Sequence, residues 1–375
     1  MAITRIGNIA STIPDDSIQN AKFSNIVQSK NIIINGDMNI AQRGTSTASI
    51  TSSSYNTVDR WKNTFSSLGT WTISQDTDVP TGQGFAKSLK YDCTTADGSP
   101  SAGDFCNLRQ IVEGQNLQYL KVGTSSAQSL TASFWVKTNK TGTYICTLNT
   151  SGRFISKSYS ISSSNTWTKI SITFPGDTSG TMANSNANGL EIFFWLGAGS
   201  TFTSGTLQTS WGSVTNADYA VGQVNLADST ANEWYVTGVQ LEAGTTASDF
   251  EFLPYDVNLA RCLRYYQKSY AYGTGVGTNT TIGIRTTSGS AGGMTTGQLY
   301  GDLQFKGNMR TAPTMTTYDK AGNSGVCARL NGGVARTDSQ NLSMGDISEK
   351  SCSITSTGTA NAGAIDVHWQ AVSEL

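Results

Sequence analysis

Apolar and polar residues alternate at a period of two in short runs along most of the chain, and each run ends in a polar turn. This pattern predicts strands over residues 69–75, 85–93, 105–113, 128–137, 142–149, 166–174, 189–196 and 234–242. Many short strands at regular turn spacing, with no helical period between them, indicate an antiparallel sandwich or jelly roll and exclude a parallel α/β sheet. Upstream, Asn31-Ile32-Ile33-Ile34 reads as a short strand, and Asn35-Gly36-Asp37 as a turn that tolerates positive φ; an alternating continuation follows. The stretch 231–254 closes this unit. In it Tyr235, Thr237, Val239 and Leu241 fall on one face and Trp234, Val236, Gly238 and Gln240 on the other. Ala243-Gly244 stops the strand, and Glu251-Phe252-Leu253-Pro254 is an extended exit, since the proline holds Leu253 out of the helical region.

Residues 257–269 switch to a helical period, with Leu259, Cys262, Leu263 and Tyr266 forming one stripe. Strand patterns return at 280–286, 298–306, 314–318 and 364–372. The predicted fold is therefore all-β: an antiparallel β-sandwich of jelly-roll type, a short linking helix and a second, smaller β-sandwich. The expected divisions are an N-terminal arm over 1–30, a jelly-roll domain over 31–255, the helix over 256–272 and a C-terminal β-domain over 273–375. Residues 1–30 carry isolated apolar residues too sparse to close a core. They fit either a loose leader or an arm that orders against other copies or a larger assembly.

Alternation also sorts side chains by face. In 130–137, Leu130, Ala132, Phe134 and Val136 point one way and Ser133, Trp135 and Lys137 the other; in 190–196, Leu190, Ile192, Phe194 and Leu196 oppose Glu191, Phe193 and Trp195. If the two strands are neighbours, Trp135, Phe193 and Trp195 form an aromatic platform flanked by Lys137 and Glu191. Such a platform suits carbohydrate, whose apolar ring faces stack on aromatics while polar neighbours bond its hydroxyls. More often, such aromatics are buried against a neighbouring domain or subunit or form part of a thick core.

Composition narrows the function classes. Only 14% of the 375 residues are charged while glycine numbers 39, a bias toward turns and sheet faces. A formal net charge of −1 gives no electrostatic reason to expect nucleic acid or an anionic membrane. No apolar run approaches the length of a bilayer span, and the first residues lack a secretory-signal layout. The six cysteines form no metal-binding spacing; Cys93 and Cys106, at facing ends of two strands, are the one pair suited to a bridge in an oxidising compartment.

Catalytic motifs are missing from the sequence. The single histidine, His368, lies in a predicted strand without a nucleophile elbow or a second histidine, so a structural role is expected. A glycosidase needs only two carboxylates, and Asp59, Glu113, Glu191, Glu233, Glu242 and Asp249 are available without any pair being placed. Sandwiches of this kind also hold calcium on oxygen ligands. Asp37 and Glu242 are the candidate ligands, with a salt bridge from Glu242 to Arg43 or Arg60 as the alternative.

Taken in order, Asn35-Gly36-Asp37-Met38, Gln42-Arg43-Gly44-Thr45, Tyr55, Asp59-Arg60-Trp61, 133–137 (SFWVK), Trp167, Gly176-Asp177-Thr178 and 239–244 (VQLEAG) form a pattern. It resembles the carbohydrate-binding-module-like jelly-roll domain of tailed-phage tail fibre and receptor-binding proteins. Cys262-Leu263-Arg264-Tyr265-Tyr266 and 300–313 look like the β-domain that follows it in those proteins. The resemblance implies a non-enzymatic virion component, made in the host cytoplasm, homotrimeric, joined to other virion proteins through residues 1–30 and binding a host surface polysaccharide. It also implies structural roles for Asp59-Arg60-Trp61 and for the Gln240-Leu241-Glu242 segment. A purely architectural virion protein and a polysaccharide-degrading enzyme are the alternatives.

Overall fold

The alternating runs form two six-stranded antiparallel sheets packed face to face in a computed structural model, which describes residues 30–288, 298–331, 335–357 and 362–375. In the first sheet the order is β1(Ser46–Ile50), β3(Thr70–Asp76), β4(Ser88–Thr95), β12(Glu233–Ala243), β6(Leu130–Thr138) and β9(Thr168–Phe174). In the second it is β11(Gly212–Ser213), β8(Arg153–Ile161), β7(Gly142–Thr150), β10(Asn188–Ala198), β5(Phe105–Glu113) and β2(Lys62–Ser66). The inward faces of β6 and β10 are those the alternation selects, with Leu130, Ala132, Phe134 and Val136 meeting Leu190, Ile192, Phe194 and Leu196. Phe134 and Phe194 pack edge to face at 4.9 Å, and Tyr91 meets Trp234 likewise at 5.9 Å.

β12 departs from simple alternation. Trp234 and Val236 face the core at its start, but so do Val239 and Leu241 further on. The register against β6 slips by one residue between Thr237 and Gln240, where Gly238 adopts φ 62°. A β-bulge therefore inverts the faces halfway along the strand, which the strict two-residue period assigned wrongly beyond Thr237.

The expected strand at Asn31-Ile32-Ile33-Ile34 is not formed; the three isoleucines are buried, but in a loop across one end of the sandwich. Its backbone is satisfied largely by side chains instead of a ladder. Gln110 donates to the Ile34 carbonyl and accepts from its N–H (2.9 and 2.7 Å), and Asn31 Oδ1 accepts from Ile33 and Leu241. The turn that follows is as expected, with Asn35 at φ 57° and its side chain bonding Ile40 in both directions.

After the extended exit, α1(Tyr255–Leu263) stops earlier than its stripe suggests, because Tyr266 already belongs to a strand. That strand, β13(Tyr266–Lys268), pairs with β20(Ala362–Val372). An eight-stranded sheet continues through β17(Val326–Asn331), β18(Ala335–Gly345), β19(Ser351–Thr357) and β15(Gln298–Gln304), with β14(Arg285–Ser288) and β16(Thr314–Tyr318) also on β20. It curls around Leu299, Met315, Ile354, Ile365, Val367 and Trp369. Residues 1–29 of the expected arm lie outside the described residues. No helix among the described residues is long and apolar enough to cross a membrane.

The two β-units meet along a polar seam. Arg264 Nε and Nη2 donate to the two oxygens of Glu113 (2.6 and 2.7 Å), and Tyr265 Oη donates to Oε1 of the same carboxylate (2.5 Å). Burial raises the Glu113 carboxyl, but these donors outweigh it and hold the group below its ordinary value. Arg60, almost fully buried, pairs with Glu374, donates to the Ile111 carbonyl and lies 3.4 Å over the Tyr265 ring. Asp59 accepts from Gln42, so the Asp59-Arg60-Trp61 run is packed inside the molecule.

Candidate functional site

The outer faces of the two sheets differ. On the second, a single helical turn at Ser200–Thr203 and the loops around it lie across β10, so that Phe202, Leu207, Tyr219 and Ala220 cover Ile145, Phe154, Phe193 and Trp195. Trp195 is only 3% exposed, and its Nε1 donates to Thr147 Oγ1 at 3.1 Å. Phe193 lies under the Arg109 guanidinium at 4.4 Å, and Arg109 pairs with Glu191 at 3.1 Å. Phe193, Trp195 and Glu191 are thus interior or paired groups.

Trp135 and Lys137 lie on β6 of the other sheet, so the condition for a single platform, that β6 and β10 be neighbours, is not met. The five candidate residues divide between opposite sides of the sandwich. The neighbours of β6 are β12 and β9, and alternation within a strand does not reveal which strands are adjacent.

The outer face of the first sheet presents a different constellation. Tyr235 of β12 stands opposite Lys137 on one side and Lys90 on the other, both ammonium groups lying over its ring at 4.3 and 5.4 Å. Trp167 packs edge-on to Tyr235 at 6.2 Å and donates from Nε1 to Asp78 at 2.9 Å. Lys137 also pairs with Asp78, and Lys90 donates to Glu233 at 2.6 Å. Burial raises the Asp78 carboxyl, but the Lys137 and Trp167 donors outweigh it and leave the group below its usual range. Burial, then the bond to Glu233, pushes the Tyr235 phenol up to about 12, so it is a neutral donor at physiological pH.

One step along β6, half-buried Trp135 stands opposite Thr237 of β12 and Lys169 of β9. It borders an open pocket of about 300 Å³ lined also by Ser133, Gln83, Asp249, Phe85, Phe250 and Phe252. The three phenylalanine rings pack mutually, with centroids 4.9 to 5.1 Å apart. Their position depends on the β12 bulge, because a Cβ on Gly238 would stand 2.5 Å from the Phe85 ring. The sequence reading missed Tyr235, Phe85, Phe250 and Phe252. The alternation of Phe250 and Phe252 was a signal for the last two, but which sheet they cap follows only from the bulge.

Asp37 and Glu242 do not fit a calcium site. Asp37 accepts amide N–H groups from Asn39 and Asn258, the latter at 3.0 Å, while Glu242 is held by Gln240 and by the Ser248 backbone and hydroxyl (2.8 to 2.9 Å). Their oxygens are engaged by N–H and O–H donors where a cation would need them free and convergent. Among the described residues no cluster of three or more His, Cys, Asp or Glu side chains could hold a metal. Glu242 pairs with neither Arg43 nor Arg60, whose partners are Asp59 and Glu374. Cys93 and Cys106 are free and buried, as are the other four cysteines. His368 is fully buried, stacked on Tyr270 at 3.9 Å between Ser269 Oγ and the Thr280 carbonyl, a structural setting.

No protein-family model matches the chain, and no curated protein does. Among solved structures it is similar to the enzymatically active domain of tailspike protein 4 of bacteriophage CBA120, with 16% identity and a TM-score of 0.29, over 57% of this chain and 22% of that one. The chain thus spans about a fifth of that structure's length. It is also similar to the carbohydrate-binding module TmCBM61, solved with β-1,4-galactotriose (10% identity, TM-score 0.30, 58% of this chain and 100% of that one). A third similar structure is a family 11 carbohydrate-binding module from Clostridium thermocellum, solved with a β-1,3-1,4-mixed-linked tetrasaccharide (14% identity, TM-score 0.27, 54% and 99%).

Proposed function

We propose that this protein is a non-catalytic adhesion component of a tailed-phage virion, and that it binds host surface polysaccharide on the outer face of its first sheet. The observation that carries the reading is the contrast between the two outer faces. One is roofed by its own chain, while the other leaves Trp135, Trp167 and the Phe252 edge accessible beside Lys90, Lys137, Asp78, Glu233 and Asp249. Aromatic planes with interspersed donors and acceptors match the alternating apolar faces and hydroxyl rims of pyranose rings. Charged groups already held in pairs keep their geometry when a hydroxyl displaces water. In this reading the protein acts as a homotrimer, joined to other virion proteins through residues 1–30. Multivalency across the trimer raises weak single-site binding by roughly 10²–10⁴.

The test is binding of the full-length protein to host cells and to purified host polysaccharide. Trp135→Ala is expected to weaken binding at least about tenfold, as for a stacking aromatic worth ~1.4 kcal/mol or more, without loss of folding. Absence of binding by the wild-type protein, with its oligomeric state checked by sedimentation, would overturn the reading. Binding unaffected by Trp135→Ala would move the site elsewhere.

A further inference from the structure

The pocket beside Trp135 carries more aromatic rings than stacking requires. Besides the indole it presents Phe85, Phe250 and Phe252, and the chain uses two uncommon backbone positions to build it. Gly238 takes φ 62° with the Phe85 ring against its α-carbon, and Gly84 takes φ 82° with the Phe252 ring beside it; a Cβ at either would stand 2.5 or 3.2 Å from the ring. Phe252 nevertheless remains 50% exposed, at the end of a packed triad with nothing over it. The polar lining is balanced in charge: one cation, Lys169, one anion, Asp249, and the neutral Ser133 and Gln83.

We propose, building on the glycan-binding reading above, that this pocket selects a neutral sugar unit carrying a methyl group, either the C6 methyl of a 6-deoxyhexose or the acetyl methyl of an N-acetylhexosamine. With one positive and one negative side chain at its rim the pocket offers no net charge to a uronic or sialic acid, so charge complementarity favours a neutral ligand. A single ring face stacks on Trp135, which leaves the phenylalanine corner without a partner in an ordinary hexose: a C6 hydroxymethyl group placed there would lose water without gaining a hydrogen bond, whereas a methyl group gains apolar burial. Asp249 and Gln83, at the open side, are placed to bond the hydroxyls or amide next to that methyl. A volume of about 300 Å³ is at the low end for small-ligand sites and suits one such unit of a chain.

Isothermal titration of the full-length protein with matched glycosides tests this. The pairs are methyl α-L-fucoside against methyl α-L-galactoside, methyl α-L-rhamnoside against methyl α-L-mannoside, and N-acetylglucosamine against glucose. At least one methyl-bearing member is expected to bind about tenfold or more tightly than its partner, within what an apolar pocket gains by rejecting an added hydroxyl. Which pair shows it distinguishes the deoxy from the acetyl source. Phe252→Ala should erase that preference by weakening the methyl-bearing member more than its partner, whereas Trp135→Ala should weaken both. Equal affinity within all three pairs, or a preference that survives Phe252→Ala, overturns the methyl assignment and leaves glycan binding standing. No binding by any sugar or by host polysaccharide overturns both.

Discussion

Trp135 and Trp195 are the clearest single-residue contrast in the molecule. Each lies on the outward side of its strand by alternation, yet one remains half-buried beside an open pocket and the other is sealed beneath the chain's own loops. Trp195→Ala is expected to cost about 3–5 kcal/mol in urea unfolding, as deletion of a fully packed aromatic does; Trp135→Ala should cost much less. A second residue-scale expectation concerns Lys268. It is buried at the seam with its ammonium donating to the carbonyls of Gln42, Tyr272 and Thr274, near Asp59 and Arg43. Burial lowers its pKa to about 8. Between about pH 8 and the ordinary lysine value the unfolded chain binds the extra proton, so this group's contribution to stability rises with pH through that window and is least below it. Replacing it by methionine should flatten the rise between pH 8 and 10 in the wild-type stability profile.

At the scale of elements, strands β5, β6, β7, β10 and β16 were legible in the sequence almost to the residue, because each is a run of strand-forming residues bounded by polar turns. β1, β2, β8, β11, β17, β18 and β19 were not; β8 is interrupted by three serines and a lysine, and β11 is only two residues long. Asn31-Ile32-Ile33-Ile34 misled for a different reason: its burial is real, but Gln110 and Asn31 supply hydrogen bonds that a ladder would. The candidate site was legible by halves. Trp135 and Lys137 could be assigned an outward face from β6 alone, while Tyr235, Lys90 and the phenylalanine corner depend on strand adjacency and on a bulge, which no local period encodes.

At the scale of the whole molecule, the two β-units are tied by charges with little access to solvent. Glu374 reaches back to Arg60 and Arg43, and Arg310 donates to the carbonyls of Asn186, Ser373 and Glu374 (2.7 to 3.0 Å). Removing one partner of a buried pair leaves the other uncompensated, so Glu374→Ala is expected to lower stability by about 3–5 kcal/mol. Calorimetry should show the loss as a separation of one melting transition into two as the units uncouple; a single transition at the wild-type temperature would contradict the role given to the seam. The Glu113 carboxylate acts in the same place with the same pH sense as Lys268, in a window at lower pH. Held below its ordinary value, it contributes stability above that value and loses it as pH falls through the depressed one.

The slip at Gly238 binds the history of two distant positions together. Residues 238 and 85 are far apart in sequence, yet one lacks a side chain so that the other can have a large one. A descendant that acquires a β-carbon at 238 must shrink residue 85, and one that deletes residue 238 returns the strand to a regular two-residue period, with Val239 and Leu241 still inward, and loses the bulge that places the ring. The pair should therefore change together or not at all, and the pocket, with whatever it selects, would be gained or lost as a unit.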